Sequence, residues 1–283
     1  MADSAALRRH FEIGDHPLAF VTEADGRVRF ETLGGEAVDG FLILPDGPGP
    51  HPVVLVIHAH GNRHDIGARE LVEGRPAAPE PIGPVLRARG IASLCLDLPC
   101  FGGRSSAVEN AAAKAALWQG RSLAGQMMGE LSSQIDWLAA DPRFGPIGVY
   151  GLSMGATLGY WLAAVEPRIA ALAHLCCLAD LDALIATGAH DLHGPYLTIP
   201  GLPRTARNGQ IAGMIAPRPQ LGCFGALDPL TPPGALSIAL DDLRAGYAAV
   251  PDALEILIDR GVGHVETPQM RARVLSFFSR TLG

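Results

Sequence analysis

From Val53 to Ile57 the chain carries an unbroken run of Val, Leu and Ile with no polar position between them. A strand without alternation is covered on both faces, and such strands belong to parallel sheets. Ahead of it, Arg27 to Leu33 and Val38 to Leu44 flank Gly34-Gly35, which predicts an antiparallel hairpin at the N-terminal side. Behind it, Ile82 to Arg89 reads as a helix stopped by Gly90, and Ile91 to Leu96 as a buried strand ending at Asp97. A helix over Leu123 to Ala140, a strand over Ile147 to Tyr150, a helix over Ala156 to Val165 and a strand over Ile169 to Leu175 follow. Gln220 to Phe224 and Leu254 to Ile258 predict two more strands with a helix between them, and Thr267 to Leu282 a closing helix.

This alternation predicts an α/β fold: a mostly parallel twisted sheet with helices on both faces, wound by right-handed crossovers, and an N-terminal antiparallel hairpin. Residues 1–283 are expected to form a single domain. The rhythm breaks once, between Leu178 and Pro219, where a stretch including HDLHGPYLTIPGLPR is too long for a simple crossover and too apolar for disorder. A lid-like insertion is expected there, at about 178–219, with His190, His193, Tyr196 and Leu197 lining a substrate pocket.

Composition narrows the classes of function. The 283 residues are 48% apolar and 18% charged, enough for a sizeable core. Net charge is −7 and no run of Lys or Arg exceeds a pair, so no nucleic-acid partner is expected. The opening MADSAALRRHFEIGDH lacks the apolar segment of a secretory signal, which predicts a start near Met1 and a cytoplasmic location. The longest nearly apolar run, Ile169 to Ala179, is too short to cross a bilayer and contains His174, so no membrane partner is expected either. Cys95, Cys100, Cys176, Cys177 and Cys223 show no CxxC spacing and read as buried thiols.

One short stretch carries chemistry. Gly151-Leu152-Ser153-Met154-Gly155 lies where a predicted strand meets a predicted helix, and a sharp strand-to-helix turn needs small flanking residues. The bland alternative is a glycine-rich turn with an incidental serine; the strand–turn–helix context favours Ser153 as a nucleophile, with the Met154 N–H as one oxyanion donor. A hydroxyl needs a base, and His264 in GVGH follows the last predicted strand. His174, inside an apolar run, reads instead as a core histidine. Asp228 in GALDPLTPP, after the preceding strand, is the expected orienting acid, with Asp180 and Asp182 as its competitors. The chain order serine, acid, histidine is one of several in which this constellation occurs.

The second oxyanion amide is expected in the loop after the first core strand, at His60 or its neighbour Gly61. His58, His60 and His64 crowd the same loop and raise the question of a metal. No carboxylate or cysteine falls at a matching helical spacing, so no metal is expected.

These pieces resemble the α/β hydrolases, and within them the dienelactone-hydrolase and acetyl-xylan-esterase-like group. The resemblance runs from Val38 to the C-terminus and rests on HAHGN at 58–62, DLPCFGGRS at 97–105, GLSMG at 151–155, HDLHG at 190–194, MIAPRP at 214–219, ALDPLTP at 226–232 and GVGH at 261–264. It implies a serine hydrolase that cleaves small-molecule carboxylic esters without metal or organic cofactor. Ser153 becomes nucleophile, His264 base and Asp228 orienting acid, with the amides of Met154 and His60 as oxyanion hole. Two positions depart from the pattern: Ala59 stands where such hydrolases often have glycine, and Ser153 where the dienelactone hydrolases proper have cysteine. The same triad also supports cleavage of an amide, thioester or carbon–carbon bond, and the fold an idle binding module. A homo-oligomer is left open.

Overall fold

The computed structural model describes residues 3–283; Met1, read above as the start, lies outside them. Nine strands form one sheet: β1 (Leu18–Ala24), β2 (Arg27–Thr32), β3 (Ala37–Ile43), β4 (His51–Ile57), β5 (Ala92–Leu96), β6 (Phe144–Leu152), β7 (Ile169–Leu175), β8 (Gln220–Gly225) and β9 (Leu254–Asp259). Their order is β1-β2-β3-β5-β4-β6-β7-β8-β9. The predicted hairpin is β2–β3, and β1 extends it into an antiparallel meander that joins the sheet through the β3–β5 pair. From β5 to β9 every pairing is parallel.

Side-chain alternation along the central strands feeds two cores. Val53, Leu55 and Ile57 of β4 and Val149 of β6 pack with Met128, Leu158 and Trp161. Val54 and Val56, with Tyr150 and Leu152, pack with Leu71, Ile82, Leu86, Val274 and Phe278. Both faces of β4 and β6 are therefore dry, which is why neither strand shows an alternating sequence. Strand β1, LAFVTEA, is covered on neither face: most of it is exposed, Phe20 and Val21 included, and its apolar stretch is only four residues long.

The chain leaves β4 for β5 on one side and returns to β6 on the other. Such a reversal opens a crevice at the carboxyl ends of the strands, where ligands bind in open α/β sheets. The register places Ile57, Gly151, His174, Gly222 and Ile256 in one row across β4, β6, β7, β8 and β9, so the loops that follow these strands leave the sheet along one edge.

Two sequence-based boundaries shift. Strand β6 runs from Phe144 to Leu152, longer than Ile147 to Tyr150, and the next helix spans Met154–Val165 instead of starting at Ala156. Strand and helix are separated by Ser153 alone. The segment at 178–219 is helical, with turns at Leu181–Thr187, Leu202–Thr205 and Asn208–Gly213. It is tied down by Asn208, whose side chain accepts from Trp161 Nε1 at 3.0 Å and donates to the Ala179 carbonyl at 3.0 Å. All five cysteines are free and buried. Among the described residues no helix is long and apolar enough to cross a membrane.

Candidate active site

Ser153 holds the backbone at φ 59° and ψ −116°, a conformation that costs a non-glycine residue roughly 1–3 kcal/mol. The strain is locked in from both sides. Its N–H donates to the Leu175 carbonyl at 2.8 Å, and its carbonyl accepts the first helical bond from Thr157 at 3.1 Å. A Cβ at Gly151 would collide with the Gly155 carbonyl oxygen, and one at Gly155 with the Ile57 carbonyl oxygen. Both glycines are thus demanded by close backbone approach. As the first helical residue, Met154 has an N–H with no intrahelical acceptor, at the positive end of a twelve-residue helix.

Asp228 and His264 meet because their loops are laced together. Ala226 N–H donates to the Asp259 carbonyl at 2.8 Å and Leu227 N–H to the Val262 carbonyl at 3.0 Å. A Cβ at Gly225 would strike the Gly263 carbonyl, so the loop pair closes only over glycine. His264 Nδ1 then lies 2.7 Å from Asp228 Oδ2, with the side chains 19% and 1% exposed. Asp228 Oδ1 accepts the Leu230 N–H at 2.9 Å, so both carboxylate oxygens are committed. The competitors are spent elsewhere: Asp180 caps the helix Leu181–Thr187 by accepting the Ala183 N–H, and Asp182 is exposed. His174 is fully buried beside Gln220, as a core histidine, and burial drives its pKa down to about 4.

The loop after β4 is pinned by a residue that sequence reading passed over. Glu70, buried at 4% exposure, accepts the Ala59 N–H at 2.8 Å and pairs with buried Arg75 at 2.9 Å. Asn62 N–H is also occupied, by His60 Nδ1 at 3.1 Å. The amides left in this loop are those of His60 and Gly61, the two expected candidates. A second missed residue is Glu109, whose Oε2 lies 2.8 Å from His60 Nε2. Ligand atoms of His60, His64 and Glu109 lie within 4.8 Å of one another, so a carboxylate does join the histidine cluster. It comes from a helix 49 residues downstream, beyond the reach of a helical-spacing argument. The proton inventory of His60 is decided by its partners. Because Nδ1 accepts from Asn62, Nε2 carries the proton and donates it to Glu109, which leaves that nitrogen no lone pair for a metal.

The 178–219 segment reaches this loop. Tyr196 is 2% exposed, its ring 5.6 Å from the ring of His60. His193 Nε2 donates to the Leu230 carbonyl at 2.9 Å, two residues beyond Asp228, and burial lowers its pKa. Leu197 is half-buried against the core, whereas His190 is exposed, with its Nδ1 3.4 Å from the Leu184 carbonyl of its own segment. A cavity of about 570 Å³ opens between this segment and the loop, lined by His60, His64, Glu109, Asp191 and His193 among others.

A mostly parallel sheet in this order, with helices on both faces, is the α/β-hydrolase fold, and in sequence the chain belongs to the YtaP-like hydrolases. Over 254 residues it is 32% identical to the Bacillus subtilis (strain 168) protein named "Putative hydrolase YtaP", covering 88% of this chain and 85% of that one. Its fold is similar to that of acetyl xylan esterase 1 from Thermoanaerobacterium sp. JW/SL YS485, with TM-score 0.68 and 16% identity over 99% of this chain and 93% of that chain. It is also similar to a cold-adapted esterase from an Arctic intertidal metagenomic library, with TM-score 0.61 and 17% identity over 93% and 97% of the two chains. No family model matches the chain.

Proposed function

We propose that the protein hydrolyses small-molecule carboxylic esters through an acyl-enzyme on Ser153. The observation that carries the reading is the 2.7 Å contact between half-buried His264 and buried Asp228 on the same sheet edge as the strained Ser153 elbow. His264 takes the Ser153 proton as the hydroxyl oxygen attacks the ester carbonyl. Asp228 holds the imidazole in the tautomer that accepts that proton and stabilises the imidazolium that forms. The amides of Met154 and His60 bind the oxyanion. The imidazolium then protonates the departing alcohol, and water, deprotonated by His264, releases the acid and restores the serine. The 178–219 segment roofs the site, with Tyr196 and His193 against it. That several structural neighbours are esterases agrees with this chemistry.

A fluorophosphonate probe tests the proposal directly. It labels the protein on Ser153, and Ser153→Ala abolishes both labelling and the bulk of p-nitrophenyl acetate turnover, leaving a residual acceleration on the order of 10³–10⁴ over water. A Ser153→Ala protein within about tenfold of the parent rate would place the chemistry elsewhere.

A further inference from the structure

The imidazole N–H donors around the 570 Å³ cavity are already used, and by the protein itself. His60 Nε2–H is given to Glu109 Oε2 at 2.8 Å. His64 Nδ1 faces the Cys100 carbonyl at 3.1 Å, which can only accept, so Nδ1 carries the proton of the neutral ring and Nε2 keeps its lone pair. His193 donates from Nε2 to the Leu230 carbonyl, which leaves Nδ1 as an acceptor. Glu109 is 92% buried by its 8% exposure, and its Oε1 has no hydrogen-bond partner at all. Asp191 adds a second carboxylate, and neither Lys nor Arg lines the cavity. Only the side-chain amides of Asn62 and Asn110 can present either end.

From this inventory we infer that the cavity is a subsite for a cationic, hydrogen-donating group of the substrate, an ammonium above all, with Glu109 as its specificity-determining residue. The inference rests on the ester-hydrolase reading, because the cavity flanks the proposed oxyanion loop through His60 and the acid loop through His193. A divalent metal fits the same charge less well. The His60 proton bond to Glu109 removes one of the three nitrogen and oxygen ligands that a zinc site needs, leaving His64 and the carboxylate. An ammonium or secondary amine instead brings protons that His64 Nε2 and His193 Nδ1 lack, and a positive charge beside the buried Glu109 carboxylate, whose Oε1 has no partner of its own. An anionic substrate arm meets two carboxylates and no counter-charge.

The test is a set of acetate esters alike in shape and different in charge: 3-(dimethylamino)propyl acetate, 4-methylpentyl acetate and 4-acetoxybutanoate. They are compared at about pH 8, above the ordinary histidine range and with the amine still protonated. The expected order of kcat/KM is ammonium, then apolar, then carboxylate, with about tenfold or more between successive members, as steering and pairing of one buried charge allow. Glu109→Gln shrinks the ammonium-to-apolar ratio to within about threefold, and Asp191→Asn, at an exposed position, shrinks it by about twofold. Equal rates for all three esters, a preference for the carboxylate, or a ratio unchanged in Glu109→Gln overturns the subsite. Calorimetric titration of 3-(dimethylamino)propan-1-ol into the Ser153→Ala protein separates the two readings. Binding that weakens on adding Glu109→Gln supports the subsite even if no ester is turned over, whereas absent binding overturns it whatever the esterase activity. Stoichiometric binding of zinc chloride that is lost in both His60→Ala and His64→Ala would likewise overturn it, in favour of a metal site.

Discussion

Replacing Asp228 by asparagine changes one atom and sets two hydrogen bonds against each other. In the native site both carboxylate oxygens accept, Oδ1 from the Leu230 N–H at 2.9 Å and Oδ2 from His264 Nδ1 at 2.7 Å. Asparagine offers one oxygen and one NH₂. If its oxygen keeps the Leu230 N–H, the NH₂ faces His264 and forces Nδ1 to accept, which moves the ring proton to Nε2 and disables the base. If the amide flips, the NH₂ points at the Leu230 N–H and a buried donor loses its acceptor, at about 1–3 kcal/mol. Either way the imidazolium loses the carboxylate that stabilises it. The expected loss is about 10⁴ in kcat, equivalent to about 5–6 kcal/mol of transition-state stabilisation. The assay is steady-state hydrolysis of p-nitrophenyl acetate by wild type and Asp228→Asn, with circular dichroism and urea unfolding to show that the variant is folded. Asp180→Asn is the internal control: asparagine caps a helix as well as aspartate does, and activity should stay at the parent level. A loss below about tenfold in Asp228→Asn, or a larger loss in Asp180→Asn, would refute the assignment of the acid.

The acid stability of the fold is a second expectation. His58 and His174 are fully buried, and burial lowers their pKa values to about 3 and about 4. The stability held by their neutral rings is complete above the unfolded histidine value near 6.5 and is lost as pH falls toward the folded values, at about 1.4 kcal/mol per ring per pH unit. Urea midpoints should therefore drop steeply below about pH 6.5, and His174→Gln should flatten the slope; a pH-independent midpoint would contradict the buried neutral rings. The elbow gives a third. Gly155→Ala drives a Cβ into the Ile57 carbonyl oxygen, at a backbone that cannot yield without moving β4, and should cost about 1–3 kcal/mol or more in urea unfolding. A stability equal to wild type would mean that the elbow relaxes freely.

Residues 53–57, 91–96 and 169–175 announced the parallel sheet because strands buried on both faces are apolar almost throughout, Ser93 and His174 being the exceptions. Strand β1 stayed hidden for the opposite reason, since an outer strand of a meander is mostly exposed and LAFVTEA carries neither a long apolar run nor an alternation to mark it. Ser153 was legible because the elbow geometry writes its needs into five consecutive positions, and Asp228 and His264 because each follows a strand at the same edge of the sheet. Glu70 and Glu109 left no such trace. Each reaches its partner across a fold of the chain, Glu70 at the Ala59 N–H and Glu109 at His60 Nε2, and a buried carboxylate that serves one distant hydrogen bond has no periodicity to reveal it. The helical build of 178–219 was likewise missed, since its turns are short and are stabilised by anchors such as Asn208 and Tyr196 instead of by a continuous amphipathic stripe.

The Glu70 anchor has a bearing on how such a scaffold can diversify. A loop whose amide is held by a carboxylate that is itself paired inside the core cannot drift by single substitutions: losing Glu70 strands Arg75, and losing Arg75 strands Glu70, each at about 3–5 kcal/mol. Against a total stability of roughly 5–15 kcal/mol, a lineage can afford that loss at most once or twice. The helical crossover between β7 and β8 carries no comparable ion pair inside the core, and Ile185 and Leu192 stand out in solvent there at 57% exposure each. New substrate preferences are therefore expected to arise by rewriting that crossover while the machinery beneath it stays fixed, so that descendants of one ancestor would share their chemistry and differ in appetite.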